Sequence, residues 1–310
     1  MKTTPILALL AAAALSAADQ PDRTLPAGAT VESIFFLPDG KKMIASCSDK
    51  HIRTWDVGSG KATADRTLPM GGYLLNSSVL AEPTDSSRKA VRLWDLTADR
   101  ELQTVSGSRA YISADRKHLA VASSTDRSVS LLNPVTGERR HVLADGLGGP
   151  ATLLFSPDGA TVVSANYDND VRIWKTQSGE LVRKIEDLTG AMFAGEFTPD
   201  GQQLVMGGLD ETVYILDAKT FALKRTLKGH GETIRALAIS PDGRTLVTGG
   251  FDVITVNNPV KLVFWDLAAG TVTRSVRSPH AVTRLAFSPD GKWLAMAASG
   301  GKEISLFSLN

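Results

Sequence analysis

The chain has 310 residues, of which 43% are hydrophobic and 22% charged, and its formal net charge is +1 at pH 7. This balance is typical of a soluble globular protein and excludes a disordered or membrane-embedded chain. Because the charge is nearly neutral, the chain also lacks the basic excess of a nucleic-acid-binding protein, so we expect no nucleic-acid partner.

Residues 1–18 differ in composition from the rest of the chain. Lys2 precedes an apolar run over residues 6–15, and Ser16 and Ala18 are the small residues that a signal peptidase requires. The alternatives are a short buried helix or a membrane anchor, but spanning a bilayer takes about 20 apolar residues. We therefore predict a cleaved signal peptide, no membrane span, and a periplasmic or secreted protein. Loss of Lys2 would leave the mature chain without net charge.

A Pro-Asp-Gly tripeptide recurs through the remaining chain. Its copies begin at Pro38, Pro157, Pro199, Pro241 and Pro289. The last three steps are 42, 42 and 48 residues, and the first gap of 119 residues divides into three units of about 40. A degenerate copy, residues 113–116, lies within that gap. The chain is thus built from about seven repeats.

Each repeat predicts four short antiparallel strands. In the tripeptide, proline fixes φ, aspartate supplies a side-chain acceptor and glycine adopts positive φ, which together predict a β-hairpin. A third strand then ends in Trp-Asp or a related pair, as at Trp55, Trp94, Trp174 and Trp265. A small-residue turn such as Ser178-Gly179 follows and leads into a fourth strand.

These residues resemble the WD-repeat family, whose repeats form the blades of a β-propeller. The resemblance implies an all-β fold with a single closed ring of about seven four-stranded blades over residues 19–310. The predicted units are residues 31–69, 70–107, 108–148, 149–190, 191–230, 231–278 and 279–310.

The resemblance also implies a framework role for a recurrent set of residues. In the family a histidine, a serine or threonine, a turn aspartate and a tryptophan form a hydrogen-bonded chain that satisfies buried polar groups. The residues that match this pattern are Asp49, Asp126, Asp168, Asp210, Asp252, His230, Thr248, Trp55, Trp174 and Trp265. Blades two and seven depart most, with Arg88 and Gly301 at the aspartate position.

The ends of the chain predict how the ring closes. The last unit stops at its third strand, whereas Arg23-Thr24-Leu25 repeats the Arg225-Thr226-Leu227 sequence that precedes blade six. We therefore expect the N-terminal segment to supply the fourth strand of the last blade, which removes an open sheet edge.

No catalytic, metal or cofactor site is predicted from local motifs. The five histidines do not pair at ligand spacing, no Gly-x-Ser-x-Gly elbow occurs, and the single cysteine, Cys47, fits a buried strand. The alternative is a lactonase-like or quinoprotein-like propeller enzyme, because residues 197–217 also look like YVTN-type repeats. That alternative requires three or more convergent carboxylates or histidines at the central channel.

The leading hypothesis is a monomeric, non-enzymatic scaffold that binds a protein or peptide through one face of the ring. Aligned on the tripeptide, the candidate binding residues near the start of the innermost strands are Glu32, Arg109, Tyr111, Phe193, Arg235 and Arg284. Arginine and aromatic residues are common anchors of binding surfaces, although a solvated face with packed aromatics would look the same. An insertion in blade six adds Asn257 and Asn258 as a further candidate contact.

Overall fold

The computed structural model describes residues 20–87, 89–123, 128–143, 150–166, 169–251 and 259–309. These residues form seven antiparallel sheets of four strands each, and they contain no helix. Each sheet corresponds to one predicted repeat. We number the sheets as blades one to seven in the order of the units given above.

The first four blades contain strands β2 to β17. Blade one contains β2 (Val31–Phe36), β3 (Lys42–Cys47), β4 (His51–Asp56) and β5 (Ala62–Thr67). Blade two contains β6 (Tyr73–Leu74), β7 (Val79–Pro83), β8 (Ala90–Asp95) and β9 (Arg100–Ser106). Blade three contains β10 (Arg109–Ile112), β11 (Leu119–Ala122), β12 (Val129–Leu132) and β13 (Arg139–Leu143). Blade four contains β14 (Pro150–Phe155), β15 (Thr161–Asn166), β16 (Val171–Lys175) and β17 (Leu181–Ile185).

The remaining blades include both ends of the described chain. Blade five contains β18 (Met192–Phe197), β19 (Gln203–Gly208), β20 (Val213–Asp217) and β21 (Leu223–Leu227). Blade six contains β22 (Thr233–Ile239), β23 (Thr245–Phe251), β24 (Val260–Asp266) and β25 (Thr271–Ser278). Blade seven contains β26 (Val282–Phe287), β27 (Trp293–Ala298), β28 (Glu303–Ser308) and, from the N-terminal side, β1 (Arg23–Pro26).

In several blades, a serine or threonine directly before the Pro-Asp-Gly tripeptide also stabilises the turn between the first and second strands. Ser156 Oγ donates to Asp158 Oδ1 at 2.6 Å and accepts the Thr161 amide at 3.0 Å. Thr198, Ser240 and Ser288 make the same pair of bonds in their blades. The degenerate copy in blade three keeps this turn, with Arg116 at φ 58° in the glycine position.

The innermost strands form a closed ring. Each contacts the innermost strand of a neighbouring blade, and β26 of blade seven returns to β2 of blade one. Between β6 and β10, the Tyr73 hydroxyl accepts the Ala110 amide at 2.7 Å. Buried side chains of adjacent blades pack together, as where Val213 of blade five joins Trp265 of blade six. The predicted seven-bladed propeller is therefore confirmed.

Blade seven is completed by the N-terminal segment, as predicted. Strand β1 pairs antiparallel with β28, and Thr24 lies opposite Ser305. Leu25 is fully buried in a cluster that contains residues of both blades seven and one. Beyond the strand, the Ala27 amide donates to Lys302 O at 2.8 Å, and Asp22 Oδ2 accepts the Ser308 amide at 2.7 Å. The two ends of the chain are thus joined by hydrogen bonds and by apolar packing.

A repeated polar contact, which we call the clasp, links each of five blades to the next one. A fourth-strand side chain donates to a backbone carbonyl in the third-to-fourth turn of the following blade. The clasp residues are Arg23, Gln103, His141, Arg183 and Arg225. All five occupy the same register, opposite the residue just before the tryptophan position. Arg23, through Val57 O and Gly58 O, makes the clasp between blades seven and one.

The clasp explains why small residues occupy the third-to-fourth turns. Gly179 has φ 69°, and a Cβ built on it would lie 2.7 Å from His141 Cβ. Gly60 has φ 71°, and its Cβ would lie 2.7 Å from Arg23 Cδ. Glycine is therefore favoured twice at these positions, once by the left-handed backbone and once by the incoming clasp side chain.

We expect removal of β1 to destabilise the whole ring. A chain that begins at Ala27 loses the β28 pairing, the Arg23 clasp and the burial of Leu25, which alone stabilises by about 2 kcal/mol. A chain that begins at Asp22 keeps all three and is the matched control. In thermal melts the chain beginning at Ala27 should melt several degrees lower and aggregate through its open edge. Equal melting temperatures would contradict closure by β1.

Candidate functional site

The candidate binding residues lie at the start of innermost strands, on what we call the upper face. This face carries the fourth-to-first and second-to-third turns. Glu32, Phe193 and Arg235 each sit at a shift of strand register. These β-bulges fall between Val31 and Ser33, between Met192 and Ala194, and between Ile234 and Ala236. A bulge redirects a side chain away from the regular pleat, and Glu32 and Arg235 are exposed.

Arg284 is the half-buried centre of the site. Its Nε donates to Glu32 O at 2.6 Å across the junction of blades seven and one, and its Nη1 donates to Thr283 O at 2.7 Å. These two carbonyls hold the guanidinium in place. Burial is the main cause that lowers the pKa of Arg284 below its ordinary value. The group nevertheless stays protonated at any physiological pH.

Four other predicted residues act electrostatically on Arg284. The positive charges of Arg109 and Arg235 lower its pKa further, while Glu32 and Tyr111 act in the opposite direction. The ring therefore brings together side chains from blades one, three, six and seven. Arg109 is exposed, whereas Tyr111 is half-buried and packs against the blade-three core.

Arg235 lies against two phenyl rings. Its guanidinium carbon is 4.9 Å from the centroid of Phe193, in the neighbouring blade, and 5.3 Å from that of Phe251 at the end of β23. Both distances fit cation–π interactions. The sequence analysis missed Phe251, although its place directly before the turn residue Asp252 was a usable signal. The candidate contacts Asn257 and Asn258 lie outside the described residues and stay predictions.

Glu196, a second residue that the sequence analysis missed, lies three residues after Phe193 on β18. Its Oε2 accepts the Ile239 amide of the next blade at 3.1 Å. Desolvation raises the pKa of this carboxyl to about 8, so it is largely protonated at pH 7. Because Ile239 is the last residue of β22, next to the Pro-Asp-Gly turn, Glu196 lies at the opposite end of the innermost strands from Arg235 and is not part of the site.

The described residues provide no group of three or more His, Cys, Asp or Glu side chains that could hold a metal ion. Nor does the described part of the chain contain a helix with the length and apolar character needed to cross a membrane.

Two open grooves lie on the opposite, lower face, which carries the Pro-Asp-Gly turns. One, of about 690 Å³, separates blades five and six, and the other, of about 610 Å³, separates blades six and seven. Both are lined by Pro241 and Asp242, which belong to a turn repeated around the ring. Neither groove includes a predicted site residue.

Comparison with known families identifies the repeat. The family model of the WD domain, G-beta repeat, matches residues 19–56, 148–175, 221–252 and 270–308. The chain belongs to the WD40-repeat family. The matched segments include the last blade, whose turn departs from the consensus, and exclude blade two. No curated protein matches the sequence. WD40 propellers typically act as protein-binding scaffolds and are generally non-enzymatic.

Three tryptophans at the ends of third strands, Trp55, Trp174 and Trp265, are buried, and the hydrogen bonds of their ring nitrogens differ. Trp265 Nε1 donates to Thr248 Oγ1 at 2.8 Å, and Trp174 Nε1 donates to Ser164 Oγ at 3.2 Å. Trp55 is fully buried, but its Nε1 has no partner among the described residues. The reason is local, because blade one has Ala45 where the other two blades have a hydroxyl.

The turn aspartates that the structure describes bind nearby polar groups. Asp49 accepts two bonds from Arg53, at 2.7 and 3.1 Å. Asp210 accepts the hydroxyls of Tyr214 and Thr189, each at 2.5 Å, which joins two turns of the upper face. Asp126, Asp168 and Asp252 lie outside the described residues, so their framework role stays a prediction.

His230 is fully buried, and neither of its ring nitrogens has a partner among the described residues. Desolvation is the main cause that lowers the pKa of His230 to about 4, and the charge of Lys261 lowers it further. Between pH 6.5 and 4 the unfolded chain therefore binds a proton that the folded chain does not. Stability falls as the pH falls through this window.

We predict that lowering the pH from 7 to 5 costs about 2 kcal/mol of folding free energy through His230. The His230→Phe variant should lack this part of the acid sensitivity, whereas the control His51→Gln, at a half-exposed position, should keep it. Denaturant unfolding at both pH values measures the difference. The idea fails if the parent and His230→Phe lose equal stability.

Proposed function

We propose that this WD40 protein is an exported, non-catalytic scaffold that binds a protein partner through its upper face. The observation that carries the proposal is Arg235, whose guanidinium contacts the rings of Phe193 and Phe251 and whose charge acts on Arg284. Tryptophan, tyrosine and arginine, with their large contact areas, dominate the energetics of many interfaces, and a stacked arginine combines apolar area with hydrogen-bond donors.

The ring geometry supports this role. The site draws side chains from strands of five blades, whose backbones are fixed by sheet pairing and by packing between blades. A rigid platform loses little conformational entropy when a partner binds. The upper-face turns surround the site and can add contacts whose residues vary from blade to blade.

We predict that Phe193→Ala weakens partner capture by about tenfold or more, as expected for an interface anchor. Leu223→Ala, on the exposed outer strand of the same blade, is the matched control and should capture the partner as the parent does. Immobilised parent and variants are compared on one native extracytoplasmic extract, with captured proteins quantified by mass spectrometry. If both variants retain the parent's partners, binding does not use the upper face.

Export is the second part of the proposal, and it rests on the composition of residues 1–18, which the structure does not describe. We expect the protein expressed with this segment in a Gram-negative host to reach the periplasm and to begin at Asp19. Cell fractionation followed by N-terminal sequencing checks both expectations. A cytoplasmic product that retains residues 1–18 would contradict export.

A further inference from the structure

We call the part of the upper face formed by Arg109, Arg235 and Arg284, at the start of the innermost strands, the mouth of the ring. Two of these arginines differ from other arginines of the protein in their ion pairing. Arg53, Arg92 and Arg172 each pair with a carboxylate within 3.0 Å. Among the described residues, neither Arg235 nor Arg284 has a carboxylate oxygen within 4 Å. The mouth therefore concentrates positive charge without direct ion pairing at these two residues.

At neutral pH, the charges of described residues that act on Arg284 do not cancel. Arg109 and Arg235 each act on Arg284 with a positive charge, and Glu32 opposes them there with a negative one. Like charges held together in a partly desolvated site repel one another, which raises the free energy of the empty site. An anionic ligand group would relieve this repulsion and gain attraction from all three arginines.

The guanidinium groups also keep hydrogen-bond donors for a ligand. A guanidinium has five N–H donors on three nitrogen atoms. In Arg284, Nε and Nη1 each donate to a backbone carbonyl. Its Nη2 has no acceptor among the described residues and can donate to an external one. Arg235 lies against two phenyl rings, and a cation–π contact does not use up its N–H donors. A carboxylate matches this planar donor geometry.

We propose that the mouth of the ring is the docking site for an acidic peptide segment of the partner, with Asp or Glu carboxylates bound by Arg284 and Arg235. This inference rests on the proposed function and adds the chemistry of the ligand. The spread of the arginines over three blades suits several carboxylates on one chain better than a single small anion. The rings of Phe193 and Phe251 offer apolar contact to the carbon atoms between those carboxylates.

The test uses a fluorescein-labelled deca-glutamate peptide and fluorescence anisotropy with the mature chain. Deca-glutamine of the same length reports binding that does not need charge, free glutarate reports binding of an isolated carboxylate, and a ten-nucleotide oligothymidylate reports binding of any polyanion. We expect deca-glutamate to bind more tightly than all three, and to bind more weakly as salt rises from about 50 to 300 mM.

The decisive comparison uses two arginines of blade six, both stacked on phenylalanine. Arg235→Gln removes a positive charge at the mouth, and Arg274→Gln removes the same charge from the outer strand, where Arg274 lies 5.3 Å from Phe264. We expect Arg235→Gln to weaken deca-glutamate binding about tenfold and Arg274→Gln to leave it unchanged. Arg284→Lys, which keeps the charge but loses the planar donors, should weaken binding, and the loss of the bond to Glu32 O should lower the melting temperature by only a few degrees.

Several outcomes would overturn the inference. They are failure of the parent to bind deca-glutamate, equal binding of deca-glutamine, equal or tighter binding of oligothymidylate, and equal losses in Arg235→Gln and Arg274→Gln. If one of these outcomes is found and Phe193→Ala also loses partner capture, the proposal of an upper-face scaffold stands and only the acidic ligand is excluded. Unchanged capture in Phe193→Ala would instead exclude the scaffold proposal itself.

Discussion

The structure depends on one pairing, between β1 near the start of the chain and β28 at its end. In a ring of blades, every inward sheet face is covered only if the last blade packs against the first. In this chain the last blade lacks its fourth strand unless residues 23–26 supply it. The ring is therefore closed by non-covalent contacts, namely the hydrogen bonds between β1 and β28 and the burial of Leu25. The clasp made by Arg23 strengthens the same junction.

The closed ring is also what assembles the candidate site. Glu32 and Arg284 are separated by 252 positions in the chain, yet a backbone carbonyl of one accepts a hydrogen bond from the other. That contact spans the junction of blades seven and one. Any opening of this junction would separate the two residues and weaken the electrostatic interaction between Arg284 and Glu32. Stability and binding are thus linked through one interface.

Much of the fold follows from the sequence because each blade is a local unit. The turn chemistry at Pro157-Asp158-Gly159 is encoded within a few residues, and repetition multiplies that signal. Closure was also predictable, because Arg23-Thr24-Leu25 repeats a fourth-strand sequence found before blade six. Blade seven forms a complete sheet despite its divergent turn, because strand pairing depends on alternation and not on the turn aspartate.

The clasp and the details of the site were harder to predict. Gln103, His141 and Arg183 share one register and one role, yet they share no side-chain chemistry beyond an N–H donor. The sequence placed Arg235 and Arg284 on one face, but one of the rings beside Arg235, Phe193, and one of the carbonyls that hold Arg284, Glu32 O, come from neighbouring blades. Such contacts depend on β-bulges and on blade-to-blade distance, which local patterns do not specify.

Amide hydrogen exchange of the native mature chain tests the central claim most directly. If β1 completes blade seven, the peptide that contains residues 23–26 should be protected to the same degree as the peptide that contains β21, the outer strand of blade five. Both are outer strands with one paired edge. Exchange of residues 23–26 at the rate of an unstructured chain, with β21 protected, would show that the ring is not closed in this way.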